Sequence, residues 1–313
     1  MKLKLLIVLI LFTIKLIPQN SQNNIAITID DLPVVTSINN EMNYNYIISN
    51  IIDKCKKYSV PATGFVIENG FTRNGEYNST LKNLMEKWID KGLTLGNHTY
   101  GHKSLNQITL SEFENEVING EKTLKEILGS RNQNVKYFRH PFLHTGLSLG
   151  LRDSSSEFLR QRGYEVAPVT VDNSDWLIAR AYEISWVKQD TAMLRKISND
   201  YVDYMKKYIL YYQEQSQKLI GRNINQILLM HANRLNADNL DKIFDMIKEL
   251  DYNFISLDEA LKDNAYSTMK DTFVKNAGIS WLHRWAISAG VKKEFFAGEP
   301  EVPQYIQDIA NTN

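Results

Sequence analysis

A chain of 313 residues with 43% hydrophobic and 23% charged side chains carries enough apolar mass to bury a sizeable core, and it reads as one large domain. Lys plus Arg equals Asp plus Glu at 36 each, so no global field draws the chain to nucleic acid or to an anionic membrane. Cys55 is the single cysteine, which excludes internal disulfides and any cysteine cluster for metal; a metal would have to sit on histidine and carboxylate.

Residues 1–22 read as a signal peptide. Lys2 and Lys4 precede an apolar run from Leu5 to Leu16, broken only by Thr13 and Lys15, and polar Gln19-Asn20-Ser21-Gln22 follows. The run is shorter than the roughly 20 residues that span a bilayer, so a secreted or periplasmic protein with no stable membrane insertion after signal removal is expected. The small-x-small pattern of a cleavage site is poor here.

Beyond residue 22, short apolar runs alternate with stretches of helical period. The strand candidates are Ile25 to Ile29, Thr63 to Ile67, Leu93 to Leu95, Val135 to Phe138, Tyr164 to Val171, Ile227 to Met230 and Tyr252 to Ile255. Between them Ile47, Ile48, Ile51, Ile52, Cys55 and Tyr58 recur at helical spacing, and so do Leu81, Leu84, Met85 and Trp88. Cys55 is assigned to that apolar face as a core residue. A third helix is predicted through Phe113, Val117, Leu124, Ile127 and Leu128, opened by a capping box of Ser111 with Glu114. A repeated strand-then-helix order implies a parallel sheet with right-handed crossovers, doubly wound or closed as a barrel. Asp190 to Leu219 is a long helical stretch rich in Tyr and Lys, and residues 266–313 form a tail with Trp281, His283, Trp285 and an acidic, proline-bearing segment around Glu299. With no flexible linker before it, the tail is expected to wrap the same domain.

Five polar clusters each follow an apolar run: Thr28-Ile29-Asp30-Asp31, His98-Thr99-Tyr100-Gly101-His102, Arg139-His140-Pro141-Phe142, Asp172-Asn173-Ser174-Asp175-Trp176, and Leu228-Leu229-Met230-His231. In a parallel α/β barrel functional groups sit at the C-terminal ends of strands, and all five fall there. Two imidazoles and a carboxylate around a divalent ion with open water positions make a hydrolytic arrangement. His98 and His102 supply the imidazoles, one carboxylate of the Asp pair completes the set, and the other is left free to act as a base. Taken alone, a His-x-x-x-His is weak, and Asp-Asp-Leu-Pro is also an ordinary turn after a strand.

Together the clusters resemble the ordered motifs of the polysaccharide deacetylases, the NodB-homology group of carbohydrate esterase family four: Thr-x-Asp-Asp, His-x-x-x-His, Arg-x-Pro, Asp-x-x-Asp-Trp and Leu-x-x-His, spanning Ile25 to about Leu261. The resemblance implies a deformed (β/α)7 barrel at residues 23–265, here with a long helical insertion before the sixth core strand and a C-terminal extension at 266–313. It implies one divalent metal ion, zinc before cobalt, nickel or iron, on Asp31, His98 and His102. It makes Asp30 the base that deprotonates the attacking water and pairs Arg139 with Asp30 through a charge-assisted hydrogen bond. His231 becomes the general acid, with Asp175 raising its pKa. Trp176, Leu228, Pro141 and Phe142 become the substrate contacts. The implied activity is removal of acetyl groups from N- or O-acetylated carbohydrate of peptidoglycan, chitooligosaccharide or xylan type, by a monomer. A metal-dependent amidase on a small non-sugar amide, or a catalytically silent carbohydrate-binding protein, remain the alternatives.

The chain departs from the family where a Gly usually follows Arg-x-Pro closely: here Phe142-Leu143-His144-Thr145 precede Gly146. His140 and His144 are extra imidazoles near the mouth. His283 is expected in a packed aromatic cluster. Trp281 and Trp285 are read as packing, with stacking on sugar rings as the alternative.

Overall fold

Each strand feeds a helix, and the crossovers return parallel strands to one curled sheet. The computed structural model describes residues 23–312; the expected signal at 1–22 lies outside the described residues. The first strand, β1 (Asn23–Leu32), is followed by α1 (Glu41–Tyr58), whose buried face is Tyr44, Ile47, Ile48, Ile51, Ile52 and Cys55, spaced at the helical period. Asn40 caps it by accepting from the Asn43 amide. Then come β2 (Thr63–Val66), a small hairpin β3 (Thr72–Arg73) and β4 (Glu76–Tyr77), and α2 (Ser79–Asp90). Trp88 of α2 is fully buried and donates through Nε1 to the Thr94 carbonyl at 2.9 Å, tying the helix to β5 (Thr94–Asn97).

The third predicted helix is two helices, α3 (Leu110–Asn119) and α4 (Lys122–Gly129). The break falls where Gly120 presses on the end of β5: a Cβ there would sit 2.6 Å from Asn97 Oδ1 and 2.7 Å from the Thr99 carbonyl carbon. The capping box also differs from the prediction. It is Thr109 with Glu112, because Leu110 is the first helical residue and Thr109 is extended, while Ser111 lies inside the first turn.

The chain continues through β6 (Tyr137–Phe138), α5 (Leu149–Gln161) and β7 (Glu165–Val166) to α6 (Asp175–Val187) and the 30-residue α7 (Thr191–Ile220). It then runs through β8 (Gln226–His231), α8 (Arg234–Glu249), β9 (Tyr252–Phe254), the short α9 (Leu257–Ala260) and α10 (Ala265–Thr268), to α11 (Trp281–Ser288) and α12 (Gln304–Ala310). The central sheet has the order β7-β6-β5-β2-β1-β8, with β9 pairing the start of β1, and its pairings are all parallel. Past β7 the chain closes the ring: Val171 bridges Leu228 of β8, and the Thr170 amide donates to Ile227. This is a deformed (β/α)7 barrel.

All seven predicted strands are present, and α7 is the predicted helical insertion before β8. Its inner face buries Tyr201, Tyr204, Tyr208, Tyr211 and Tyr212. The tail packs on the barrel's helices, α12 against α6 and α11 against α7. Trp281 and Trp285 are buried in the core, so the sugar-stacking alternative fails; they have no free face to offer a ring. His283 lies among Tyr211, Tyr212 and Phe296 at ring separations of 5.1–5.8 Å, the expected aromatic cluster, and burial lowers its pKa to about 4. Among the described residues no helix is long and apolar enough to cross a membrane.

Candidate active site

At the C-terminal mouth of the barrel a cleft of about 790 Å³ is lined by Asp30, Asp31, His98, His102, Phe142, His144, Asp172, Trp176, Leu229 and His231, with others around them. β1 and β8 run side by side in register, so Asp30 faces His231 across the ladder. The next residue, Asp31, has φ of 61°, and Thr99 and His102 also have positive φ, at 71° and 55°. Three non-glycine residues in the left-handed region within one site mark a backbone held by its surroundings for a purpose.

That backbone aims three side chains at one point. The Nε2 atoms of His98 and His102 each lie 3.4 Å from Asp31 Oδ1, and His98 Nε2 is 3.8 Å from Asp30 Oδ2. The His98 ring is fixed from behind by the Arg139 carbonyl, 2.8 Å from its Nδ1, which leaves Nε2 as the open lone pair. Asp30 Oδ1 and Asp31 Oδ1 are buried with no hydrogen-bond partner. Buried carboxylate oxygens without partners beside two converging imidazoles are what a divalent cation would satisfy, and Asp31, His98 and His102 are the group that could hold one. Burial raises the Asp31 pKa, but the contact with His98 and the nearby His231 and His102 outweigh it and hold the carboxyl well below the usual carboxylate range. Burial, then the neighbouring His98, lowers the His102 pKa to about 4, so this ring is a neutral ligand at ordinary pH.

On the opposite wall, His231 Nδ1 is 2.6 Å from Asp175 Oδ1, and the His231 amide donates to the other carboxylate oxygen at 2.9 Å. Asn236 donates to both Asp175 Oδ2 and the His231 carbonyl at 2.8 Å, and Tyr201 in turn donates to Asn236 at 2.6 Å. Burial alone would depress the imidazole's pKa; the Asp175 carboxylate overrides it and lifts His231 to about 10. Asp175 opens α6, where a negative charge also suits the helix N-terminus.

Arg139 is fully buried, and here the expected hydrogen bond is replaced by a looser contact. Its Nη1 lies 3.7 Å from Asp30 Oδ2, an ion pair, while Nη2 donates to Thr28 Oγ1 at 3.0 Å and the guanidinium sits over the Phe65 ring at 4.7 Å. Thr28 passes the link on to the Leu228 carbonyl at 2.8 Å.

Residues 18–167 match the family model for polysaccharide deacetylase. Over that stretch the chain resembles the polysaccharide deacetylases. It is 25% identical over 126 residues to the peptidoglycan-N-acetylglucosamine deacetylase of Bacillus cereus, a match covering 40% of either chain. It is 28% identical over 126 residues to the bifunctional xylanase/deacetylase of Pseudobutyrivibrio xylanivorans, covering 40% of this chain and 18% of that one. The chain thus spans well under half the length of these two relatives. In fold the chain resembles a CE4 family pseudoenzyme from Bacillus anthracis, with a TM-score of 0.53 at 17% identity over 77% of this chain and 66% of that one. A variant of that pseudoenzyme with restored enzymatic activity matches equally, with a TM-score of 0.53 at 18% identity over 77% of this chain and 68% of that one.

Of the residues picked out in the sequence, Asp30, Asp31, His98, His102, Phe142, Trp176 and His231 line the cleft, and Arg139 and Asp175 stand directly behind it. Pro141 and Leu228 are buried and line none of it. Side chains alternate along β8, so the leucine on the His231 side is Leu229. Phe142 is more than half exposed and lies 4.4 Å from the His102 ring. His140 is buried and stacked on Phe113 at 5.6 Å, and burial followed by the Arg284 charge lowers its pKa to about 3. His144 does line the cleft, with Ser104 Oγ 2.7 Å from its Nδ1. Tyr208 of α7 lines the cleft as well, and sequence reasoning missed Gly278 and Glu299 of the tail as cleft residues. Nothing local marks them, because they arrive from elements far along the chain. Asp172, assigned no role, also lines the cleft; removal from water, with the nearby Glu299 charge, lifts its carboxyl to about 7.

Proposed function

We propose that the protein is a secreted or periplasmic, metal-dependent hydrolase that removes acetyl groups from N- or O-acetylated carbohydrate of peptidoglycan, chitooligosaccharide or xylan type. The observation that carries this reading is the cleft in which Asp30, whose Oδ1 has no hydrogen-bond partner, and a carboxylate-bound imidazole, His231, face each other beside a two-histidine, one-aspartate cradle. The match to the family model and the names of the curated relatives support the substrate class.

The cradle suits zinc, with cobalt, nickel and iron also able to use such a donor set. A divalent ion held by Asp31, His98 and His102 would supply Lewis-acid activation of water and of an acyl oxygen. Asp30 accepts the proton of the attacking water, with the Arg139 guanidinium 3.7 Å from its Oδ2 to orient it. His231, oriented and kept protonated by Asp175, donates its proton to the departing amine or alcohol. Trp176, Phe142 and Leu229 present apolar surface that excludes water from the acetyl methyl. A silent sugar-binding protein would have no use for both a free base and a poised acid, although a structural neighbour is described as a pseudoenzyme.

Expressed from residue 23, loaded with zinc and given acetylated chitooligosaccharide, peptidoglycan and xylan, the protein is expected to release acetate from at least one. Asp30→Asn should reduce kcat by about 10²–10⁴-fold, the range for loss of a general base. Full activity after chelation, or in Asp30→Asn, would overturn the mechanism. Bound metal with no acetate from any sugar would favour the small-amide substrate instead.

A further inference from the structure

The match to the deacetylase family model ends at residue 167, yet the tail reaches into the cleft. Two hydrogen bonds anchor it where the barrel closes: the Trp281 amide donates to the Val169 carbonyl at 2.7 Å, and Ser280 Oγ to the Thr170 carbonyl at 2.7 Å. From that anchor α11 projects Arg284 under the loop that follows Arg139. Arg284 is 1% exposed. It donates through Nη1 to the Leu143 carbonyl at 3.2 Å and through Nη2 to Thr145 Oγ1 at 2.5 Å, while its Nε donates to Asp271 Oδ2 at 2.9 Å. Trp281 covers the guanidinium face at 4.4 Å. Gly278 closes on the same loop from above, so tightly that a Cβ would lie 1.8 Å from the Phe142 carbonyl oxygen.

The loop so held is the segment in which this chain departs from the family pattern. Phe142 and Leu143 both have φ of 56°, a conformation that side-chain-bearing residues keep only when contacts from outside enforce it. Phe142, Leu143 and His144 all line the cleft, and the Phe142 ring lies against His102. Arg284 satisfies a loop carbonyl and a loop hydroxyl with one planar fork, which a lysine could not do in the same geometry.

We infer that Arg284, carried by the C-terminal tail, is a positioning residue for the active-site loop Phe142–Thr145, so that the tail is a working part of the cleft. This inference rests on the deacetylase reading above. Loss of the clamp lets the loop leave its left-handed conformation, and misplacement of a cleft wall by about 1 Å is enough to cost on the order of 10²-fold in rate.

The test uses the full chain loaded with zinc and three variants: Arg284→Gln, Arg284→Ala and Thr145→Val, the last removing an acceptor without stranding a charge. In Arg284→Gln, kcat/KM for acetate release is expected to fall about 10–100-fold, mostly in kcat, with a smaller loss in Thr145→Val. Amide hydrogen exchange should rise in residues 140–146 selectively, and free guanidinium at millimolar concentration should restore part of the Arg284→Ala rate. A purely structural arginine would instead lower Tm and raise exchange throughout the barrel, with turnover per folded molecule unchanged. That result, or kinetics and loop exchange both equal to the unmodified protein, overturns the inference. If Arg284 variants fail to fold, Thr145→Val alone decides it by the same two readouts. If the unmodified protein releases no acetate, the deacetylase reading fails, and selective exchange at 140–146 then decides the clamp by itself.

Discussion

His231 shows how one residue's chemistry is set by its neighbours. Burial favours the neutral ring, and a carboxylate 2.6 Å away reverses that preference, so the imidazolium persists to about pH 10. A general acid must be protonated, so the alkaline limb of kcat/KM should lie near that value. Asp175→Asn removes the largest of the raising charges, ahead of those on Asp31 and Asp30, so the limb should move to lower pH, as read from a full pH–rate profile. The same pair bears on stability. A histidine whose folded pKa is raised contributes stability that is complete below the unfolded value near 6.5 and is lost as pH rises through about 10. Urea titrations of the unmodified protein between pH 6 and 10 should therefore show a fall that Asp175→Asn lacks. The Asp-Asp and His-x-x-x-His residues were legible in sequence because chemistry restricts residue type at such a site. The Arg139–Asp30 contact was not, since a distance of 3.7 Å rather than a hydrogen bond depends on where Thr28 and Phe65 sit.

At the scale of elements, apolar periodicity located α1, α2, α7 and every strand of the central sheet, but not the β3–β4 hairpin, because a residue's partner face recurs every 3.6 or 2 positions. It failed at the third helix. Periodicity continues through Gly120, but the tertiary approach of Asn97 and Thr99 to that glycine breaks the helix there. Since Gly120 keeps a negative φ, an added methyl acts through sterics alone. Gly120→Ala should destabilise the fold by about 1–3 kcal/mol, the range for overpacking, measured by urea denaturation. Because the crowded atoms flank His98, its metal affinity should also weaken.

The whole molecule ties the tail to the barrel. Leu282, Trp285, Ile306 and Ala310 are buried, and α12 lies on α6, the helix that Asp175 begins. A chain ending at residue 265 uncovers that apolar surface and is expected to be insoluble or to unfold without cooperativity, as judged by soluble yield and by thermal melting. Binding at the cradle acts on the folded state alone. Free zinc at about 100 times its Kd should stabilise the protein by about 2.7 kcal/mol, seen as a rise in Tm that His98→Ala abolishes.

The sequence by itself determined the parallel sheet, the cluster at each strand end and the resemblance to a deacetylase family, because residue type, order and period are properties of the chain read along its length. The tertiary structure alone decided which leucine faces the cleft, where the third helix breaks, and that Tyr208, Gly278 and Glu299 share the cleft with Asp30 and His231. The physical reason is separation. Contacts between residues distant along the chain are set by how helices and tail pack around the closed sheet, and no local pattern of residues encodes that packing.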